Sequence, residues 1–181
     1  MKKFELTNEF ITNMFGTKLF RIRALVEFGD VEAGELGGYV EKESNLGHDD
    51  NAWVYDNAWV YGDAQVSGDA RVYDNAWVYG NAQVSGDARV CGDARVCGNG
   101  DYAYAHGFGS VNRTTTFFRL KDGGVGVRCG CFYGTLAQFR DKIRETHGET
   151  KKAQEYLMLA DLMELRFEED ENEVGNRKYV E

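Results

Sequence analysis

Arginines and aromatic residues alternate through the middle of this chain in a pattern that could hold an anion. Arg71, Arg89 and Arg95 recur among Trp77, Tyr79 and their neighbours. A planar guanidinium forks onto phosphate through two hydrogen bonds, and an aromatic plane stacks on a base. These residue types together suit a small anionic, nucleotide-like ligand. His106, Arg113, Arg119 and Arg128 follow downstream and could complete such a site. The competing use of the arginines is ladder stacking and ion pairing with Asp69, Asp87 and Asp93.

Other chemistry is thinly represented. The three histidines are His48, His106 and His147. A general base must come within hydrogen-bond reach of its acceptor, and His106, in DYAYAHGFGS, is the best placed. His147 falls at a helix end and His48 among aspartates, where structural roles are expected. The four cysteines, Cys91, Cys97, Cys129 and Cys131, include no CxxC pair, so neither a zinc site nor a thioredoxin-like motif is signalled. Cys129 and Cys131 could hold a metal from one strand face, but packing is the favoured role. Gly123-Gly124 belongs to a turn, and neither a phosphate loop nor a Gly-x-Ser-x-Gly elbow occurs. No cofactor and no metal is called for.

The positioning elements come from a repeat. From Asn51 to Gly98 the chain reads NAWVYD NAWVYG DAQVSG DARVYD NAWVYG NAQVSG DARVCG DARVCG, eight hexads without a gap. The second place is always Ala and the fourth always Val. Two residues apart on a strand, they point to one face. Asn, Asp and Gly at the junctions tolerate positive φ. Each hexad is a short strand and a corner, and three hexads close a triangular coil. The 18-residue super-period of Gln65 and Gln83, Trp59 and Trp77, and Tyr55 and Tyr73 supports this. Equivalent side chains then stack about 4.8 Å apart. One exterior face carries Trp53, Arg71, Arg89, Tyr55, Tyr73 and Cys91. The second carries Trp59, Trp77, Arg95, Tyr61, Tyr79 and Cys97, and the third only Gln65, Gln83, Ser67 and Ser85. Aromatics on an exterior imply an interface, so Trp53, Trp59, Tyr55, Tyr61 and Tyr73 are expected at contacts between subunits or under the flanking hairpin and helices.

These hexads resemble the hexapeptide-repeat, left-handed parallel β-helix family. The resemblance implies the left hand and a homotrimer whose ligand sites lie between adjacent prisms. It also implies the family's acyltransferase activity as an alternative, with His106 as base. The regular hexads, however, carry neither a histidine nor an inserted loop. FRIRALVEFGDVEAGELGGYVEKESNL is similar to the N-terminal segment of bacterial and phage hexapeptide-repeat proteins, most specifically in GELGGYVEKESNL. KDGGVGVRCGCFYGTLAQFRDKIRETHGETKKAQEYLMLADLMELRF resembles a module recurring in phage and prophage proteins. These resemblances imply a phage-type protein working in the bacterial cytoplasm.

The 48 residues of the hexads make about 2.7 coils of 18, and a solenoid this short needs capped ends. Before them, Phe20, Ile22, Ala24, Val26 and Phe28 alternate as a strand ended by Gly29-Asp30. An imperfect coil is expected over 34–50, with Val40 and Leu46 in the Ala register. After them, a two-residue Asp122-Gly123 turn would pair Leu120 with Val125, Phe118 with Val127 and Thr116 with Cys129, making Cys129 and Cys131 core residues. Thr135 to Gln138 is a capping box for a helix with the stripe Leu136, Phe139, Ile143. A second helix, over 150–167, carries Ala153, Tyr156, Leu157, Ala160, Met163 and Phe167, widened by Leu159, Leu162 and Leu165. The expected organisation is N-terminal cap strands over 1–33, β-helix over 34–108, hairpin with two helices over 109–167, and an acidic tail over 168–181.

Length and charge bound the function. At about 150 residues per domain, 181 residues suggest one domain or one domain plus an appendage. No apolar run is long enough for a membrane span, and MKKFELTNEF lacks the apolar core of a secretory signal. A net charge of −9 works against polymeric DNA or RNA. The chain contains no proline, which fits a ladder in which every backbone N–H is wanted. The sequence therefore points to a mainly β, non-enzymatic, phage-type binding protein. It would capture a small nucleotide-like signal at trimer interfaces, as a host-defence antagonist. A structural or host-protein-binding module is the further alternative.

Overall fold

In the computed structural model, residues 1–109 and 111–168 are described. From residue 169 onward the expected acidic tail lies outside the described residues. The chain opens with antiparallel strands β1 (Phe4–Thr12) and β2 (Lys18–Ala24). β2 then pairs antiparallel with β3 (Leu36–Val40). Ile22 and Ala24 are buried as their alternation predicts, but Leu19 is buried in place of Phe20, and the β2–β3 pairing shifts register further along, between Arg21 and Arg23. Lys3 is drawn under the first coil. Its ammonium donates to the carbonyls of Asp50, at 2.7 Å, and Ala52, at 2.9 Å, and lies 4.6 Å from the Phe28 ring.

Each hexad contributes a strand of two residues: β4 (Trp53–Val54), β5 (Trp59–Val60), β6 (Gln65–Val66), β7 (Arg71–Val72), β8 (Trp77–Val78), β9 (Gln83–Val84), β10 (Arg89–Val90) and β11 (Arg95–Val96). They stack in parallel as three faces: β3-β5-β8-β11, β4-β7-β10 and β6-β9. The register is the super-period itself, with Trp59 beside Trp77 and Gln65 beside Gln83. Every hexad Ala and Val is at most 1% exposed, and each buried Val stabilises by about 1.5–3 kcal/mol. Coil-to-coil bonds such as Trp59 N–H to Ala76 O, 2.9 Å, complete the ladder. The sixth hexad place is Gly or Asp because the corner needs the left-handed region: Asp56 and Asp74 have φ of 52° and 60°, and Gly62, Gly68, Gly80, Gly86 and Gly92 lie between 64° and 69°.

The imperfect coil forms with its irregularity resolved. Val40 pairs with Val60 and Leu46 with Val66, 20 residues on instead of 18. Both occupy Val places, not Ala places. The two extra residues lie between Leu46 and Val54, which are eight apart where hexads require six.

The C-terminal part is a four-stranded antiparallel sheet, β12 (Tyr102–Phe108), β13 (Arg113–Arg119), β14 (Val125–Cys129) and β15 (Phe132–Thr135), followed by α1 (Leu136–His147) and α2 (Lys151–Phe167). β12, grouped with the solenoid on sequence, instead pairs with β13. The hairpin register is one residue off the expected one: Phe117 faces Val127, Phe118 faces Gly126 and Thr115 faces Cys129. Asp122 is absent from the positive-φ residues while Gly123 has φ +86, so the two-residue turn that needs both does not form. Leu120 N–H bonds Gly124 O instead, at 2.8 Å, around a three-residue loop. A one-residue slip exchanges the faces. Phe118 and Leu120 close the end of the solenoid core, while Phe117 and Val127 pack with the helices. Cys129 is consequently half-buried and Cys131 exposed, not core. Gly130 turns the chain between them at φ +59, so they do not share a strand face. Thr135 caps α1 and Thr150 caps α2. The α1 stripe is buried, as is that of α2 except Leu157, which is half-buried like Leu159, while Leu162 and Leu165 are exposed.

Candidate functional site

The β4-β7-β10 face is the one that becomes concave. Trp53 starts its outer row and is wholly buried, with Phe28 edge-on at 5.3 Å and Phe4 at 6.1 Å. It therefore serves the N-terminal cap and leaves no surface for another subunit. Arg71 and Arg89 continue the row. Thr116 Oγ1 accepts the Arg89 N–H at 2.9 Å and anchors the C-terminal sheet over the last coil. The inner row is Tyr55, Tyr73 and Cys91. Burial pushes the Tyr55 hydroxyl up to about 12, raises Tyr73 and pushes the Cys91 thiol up to about 11. All three stay protonated at neutral pH, so Cys91 is no thiolate nucleophile.

The overhang leaves two adjoining clefts that share Arg71 and Arg89. One has a volume of about 570 Å³ and is lined by Gly29, Asn51, Asp69, Asp87, Arg113, Thr114 and Gly130 as well. The other, of about 240 Å³, adds Asp30, Tyr55, Asp56, Tyr73 and Arg128. Four of the arginines expected at a site, Arg71, Arg89, Arg113 and Arg128, thus meet on one face. Three of the four aspartates already have donors, and the fourth, Asp87, lies near an imidazole. Asp30 holds Arg71 at 2.7 Å, Asp56 accepts the Asp74 N–H at 3.4 Å, Asp69 accepts from Asn51 at 2.8 Å, and Asp87 faces His106 at 3.6 Å. Among the described residues, Arg89, Arg113 and Arg128 have no carboxylate within 4.0 Å. The buried Arg128 Nε has no hydrogen-bond partner, and the guanidinium lies 5.8 Å from the Tyr73 ring. His106 stands at the rim, its Nδ1 2.8 Å from Thr114 Oγ1.

The remaining expected site residues lie elsewhere. Trp77, Tyr79 and Arg95 are on the β5-β8-β11 face. There Trp59 stacks on Trp77 at 4.4 Å and Tyr61 on Tyr79 at 5.2 Å, each pair within 7° of parallel. Arg95 covers the far side of Trp77 at 3.9 Å and donates to the carbonyls of Asn75 and Ala94. With both faces covered, Trp77 offers no plane to a base. Arg119 donates to the carbonyls of Gly123 and Phe167 and tethers α2 to the sheet. His48 accepts the Lys3 N–H at 3.2 Å and stacks on Phe4, and His147 stacks on Tyr156. The sequence reading missed Asp30, whose only local signal was a Gly-Asp strand end.

Residues 64–81 and 82–98 match the YdcK beta solenoid repeat family. The matched residues are two successive coils of the solenoid just described, and the chain is a β-solenoid repeat protein. Comparison with curated proteins yields no significant match. No helix among the described residues is long and apolar enough to cross a membrane, and they contain no cluster of His, Cys, Asp and Glu that could hold a metal ion.

Proposed function

We propose that this chain is a non-enzymatic binding protein that captures a small nucleotide-like anion in the arginine cleft. The observation that carries the proposal is the convergence of Arg89, Arg113 and Arg128 with no carboxylate partner among the described residues. Each guanidinium can fork onto phosphate oxygens. Asp69 and Asp87, on the same rim, can accept from sugar hydroxyls. In the phage-type setting that the flanking segments imply, the ligand is a host signal held without turnover. In a homotrimer the Trp59 and Tyr61 face supplies subunit contacts.

The test is thermal shift and calorimetry with cyclic and linear nucleotides and inorganic phosphate. Charge-assisted bonds contribute about 1.5–3 kcal/mol each, so Arg89→Ala should weaken binding roughly 10- to 100-fold. No shift with any nucleotide overturns the proposal and leaves an assembly role. Acyl transfer is the second reading, carried by His106, whose Nδ1 is hydrogen-bonded to Thr114 Oγ1 at the cleft rim. It requires turnover with acetyl-CoA that His106→Ala abolishes.

A further inference from the structure

We propose that the C-terminal module holds a second ligand site, a pocket for a small carboxylate with a single aromatic ring. A cavity of about 260 Å³ opens between the β14–β15 turn and the two helices. Its walls are aromatic. The Phe139 ring lies 5.5 Å from Phe132, tilted by 44°, and 5.8 Å from Tyr156, at 83°. The rings pack against one another at angles usual for aromatic pairs and together line the cavity. The mouth is basic, with Arg113, Lys142 and His147 lining it.

Charge separates this pocket from the arginine cleft. The cleft mixes its arginines with Asp69 and Asp87. Among the described residues that line the pocket, none is Asp or Glu. In a chain of net charge −9, an apolar cavity with three basic groups and no acid selects for an anionic head on an apolar body. Lys142 does reach Glu145 at 2.8 Å, but both side chains are more than half exposed, and such a surface pair yields readily. The Tyr156 hydroxyl, pushed up to about 12 by burial, remains a donor on the pocket wall. The volume falls below the roughly 300 Å³ at which drug-sized pockets begin, which limits the guest to one ring with a short acid arm. Only Arg113 is common to both sites.

The experiment titrates the full ¹⁵N-labelled chain with phenylacetate and, separately, with its neutral counterpart 2-phenylethanol. Phenylacetate is expected to saturate at a concentration on the order of 1 mM. It should move amides near Phe132, Lys142 and Tyr156, and the alcohol should bind about fivefold more weakly. Lys142→Met should reduce that preference, whereas Arg89→Ala, which disables the other cleft, should leave phenylacetate binding intact. Equal affinity for acid and alcohol, shifts centred outside the module, or no saturation would each overturn the proposal. A failure of nucleotides to bind the arginine cleft leaves these outcomes unchanged.

Discussion

Lys3 gives the solenoid a pH dependence of unusual sign. Its side chain is buried, and desolvation lowers its pKa to about 8 from 10.5, against the opposing pull of Asp50 and Asp49. The unfolded chain therefore binds more protons than the folded one between about pH 8 and 10.5, and stability must rise with pH across that window. Integrated from pH 7 to 9.5, the gain is about 2 kcal/mol at full desolvation and about half that if water reaches the ammonium. Cys91, pushed up to about 11, and Tyr55 and Tyr61, pushed up to about 12, act the other way. They are protonated when folded while the unfolded chain has begun to ionise, so they remove stability above about pH 9. A comparison with Lys3→Met cancels these common contributions. Urea unfolding of both proteins at several pH values from 7 to 9.5 isolates the lysine. The stability of the natural chain relative to Lys3→Met should climb by about 1–2 kcal/mol. A difference that is flat or falls with pH would refute a desolvated ammonium under the first coil.

Two further perturbations probe the coil itself. Val78 is wholly buried in the middle of the β5-β8-β11 stack, so Val78→Ala should cost about 2 kcal/mol in urea unfolding. A loss below about 0.5 kcal/mol would mean the core collapses around the gap. Gly80 and Gly123 both have positive φ, but a Cβ on Gly80 meets the Cys97 carbonyl oxygen of the next coil while one on Gly123 meets nothing within 4 Å. Gly123→Ala should cost about 1 kcal/mol for the torsion alone, and Gly80→Ala should cost clearly more in the same assay. Equal losses would show that torsion, not coil spacing, sets the corner.

The coils were legible because a strict repeat places every residue of a given hexad place in the same surroundings. One look at Ala64 and Val66 therefore describes all eight hexads. The helices were legible because Thr135 with Gln138 and the stripe ending at Phe167 are local signals. The strands of the caps were not. β1, β12 and β15 each take their partner from tertiary pairing and carry little alternation of their own; DYAYAHGFGS is small and polar at most positions. The hairpin register turned on whether Asp122 adopts positive φ, which Asp tolerates but does not demand. That single choice exchanged Phe117 with Phe118 and moved Cys129 and Cys131 out of the core. The site fared likewise. The arginines were found by type, and the repeat already put Arg71 and Arg89 on one face and Arg95 on the next, joined only across an interface between subunits; what it did not reveal is that Arg113 and Arg128 of the C-terminal sheet fold over the Arg71 and Arg89 face.

The caps and the arginine cleft have a common physical origin in this chain. The flat side of a triangular prism offers no concavity, and its outward rows, left alone, stack on themselves as Trp59 does on Trp77. A solenoid of about three coils cannot end in open ladders, because unpaired N–H groups and an exposed Val/Ala core would remain at both ends. The N-terminal segment closes one end with Phe4, Lys3 and Phe28, and the C-terminal sheet closes the other with Thr116 and Phe118. Both closures reach past the ends onto the same prism face. Gly29 and Asp30 arrive from one side and Arg113 and Arg128 from the other, with Arg71 and Arg89 between them. The cleft is therefore the gap left between two caps on a flat wall. Its width depends on the number of coils, since each coil adds about 4.8 Å to the distance between the caps. Deleting one 18-residue coil would bring the caps together and close the cleft, and adding one would part them. The short repeat array thereby sets the width of the cleft.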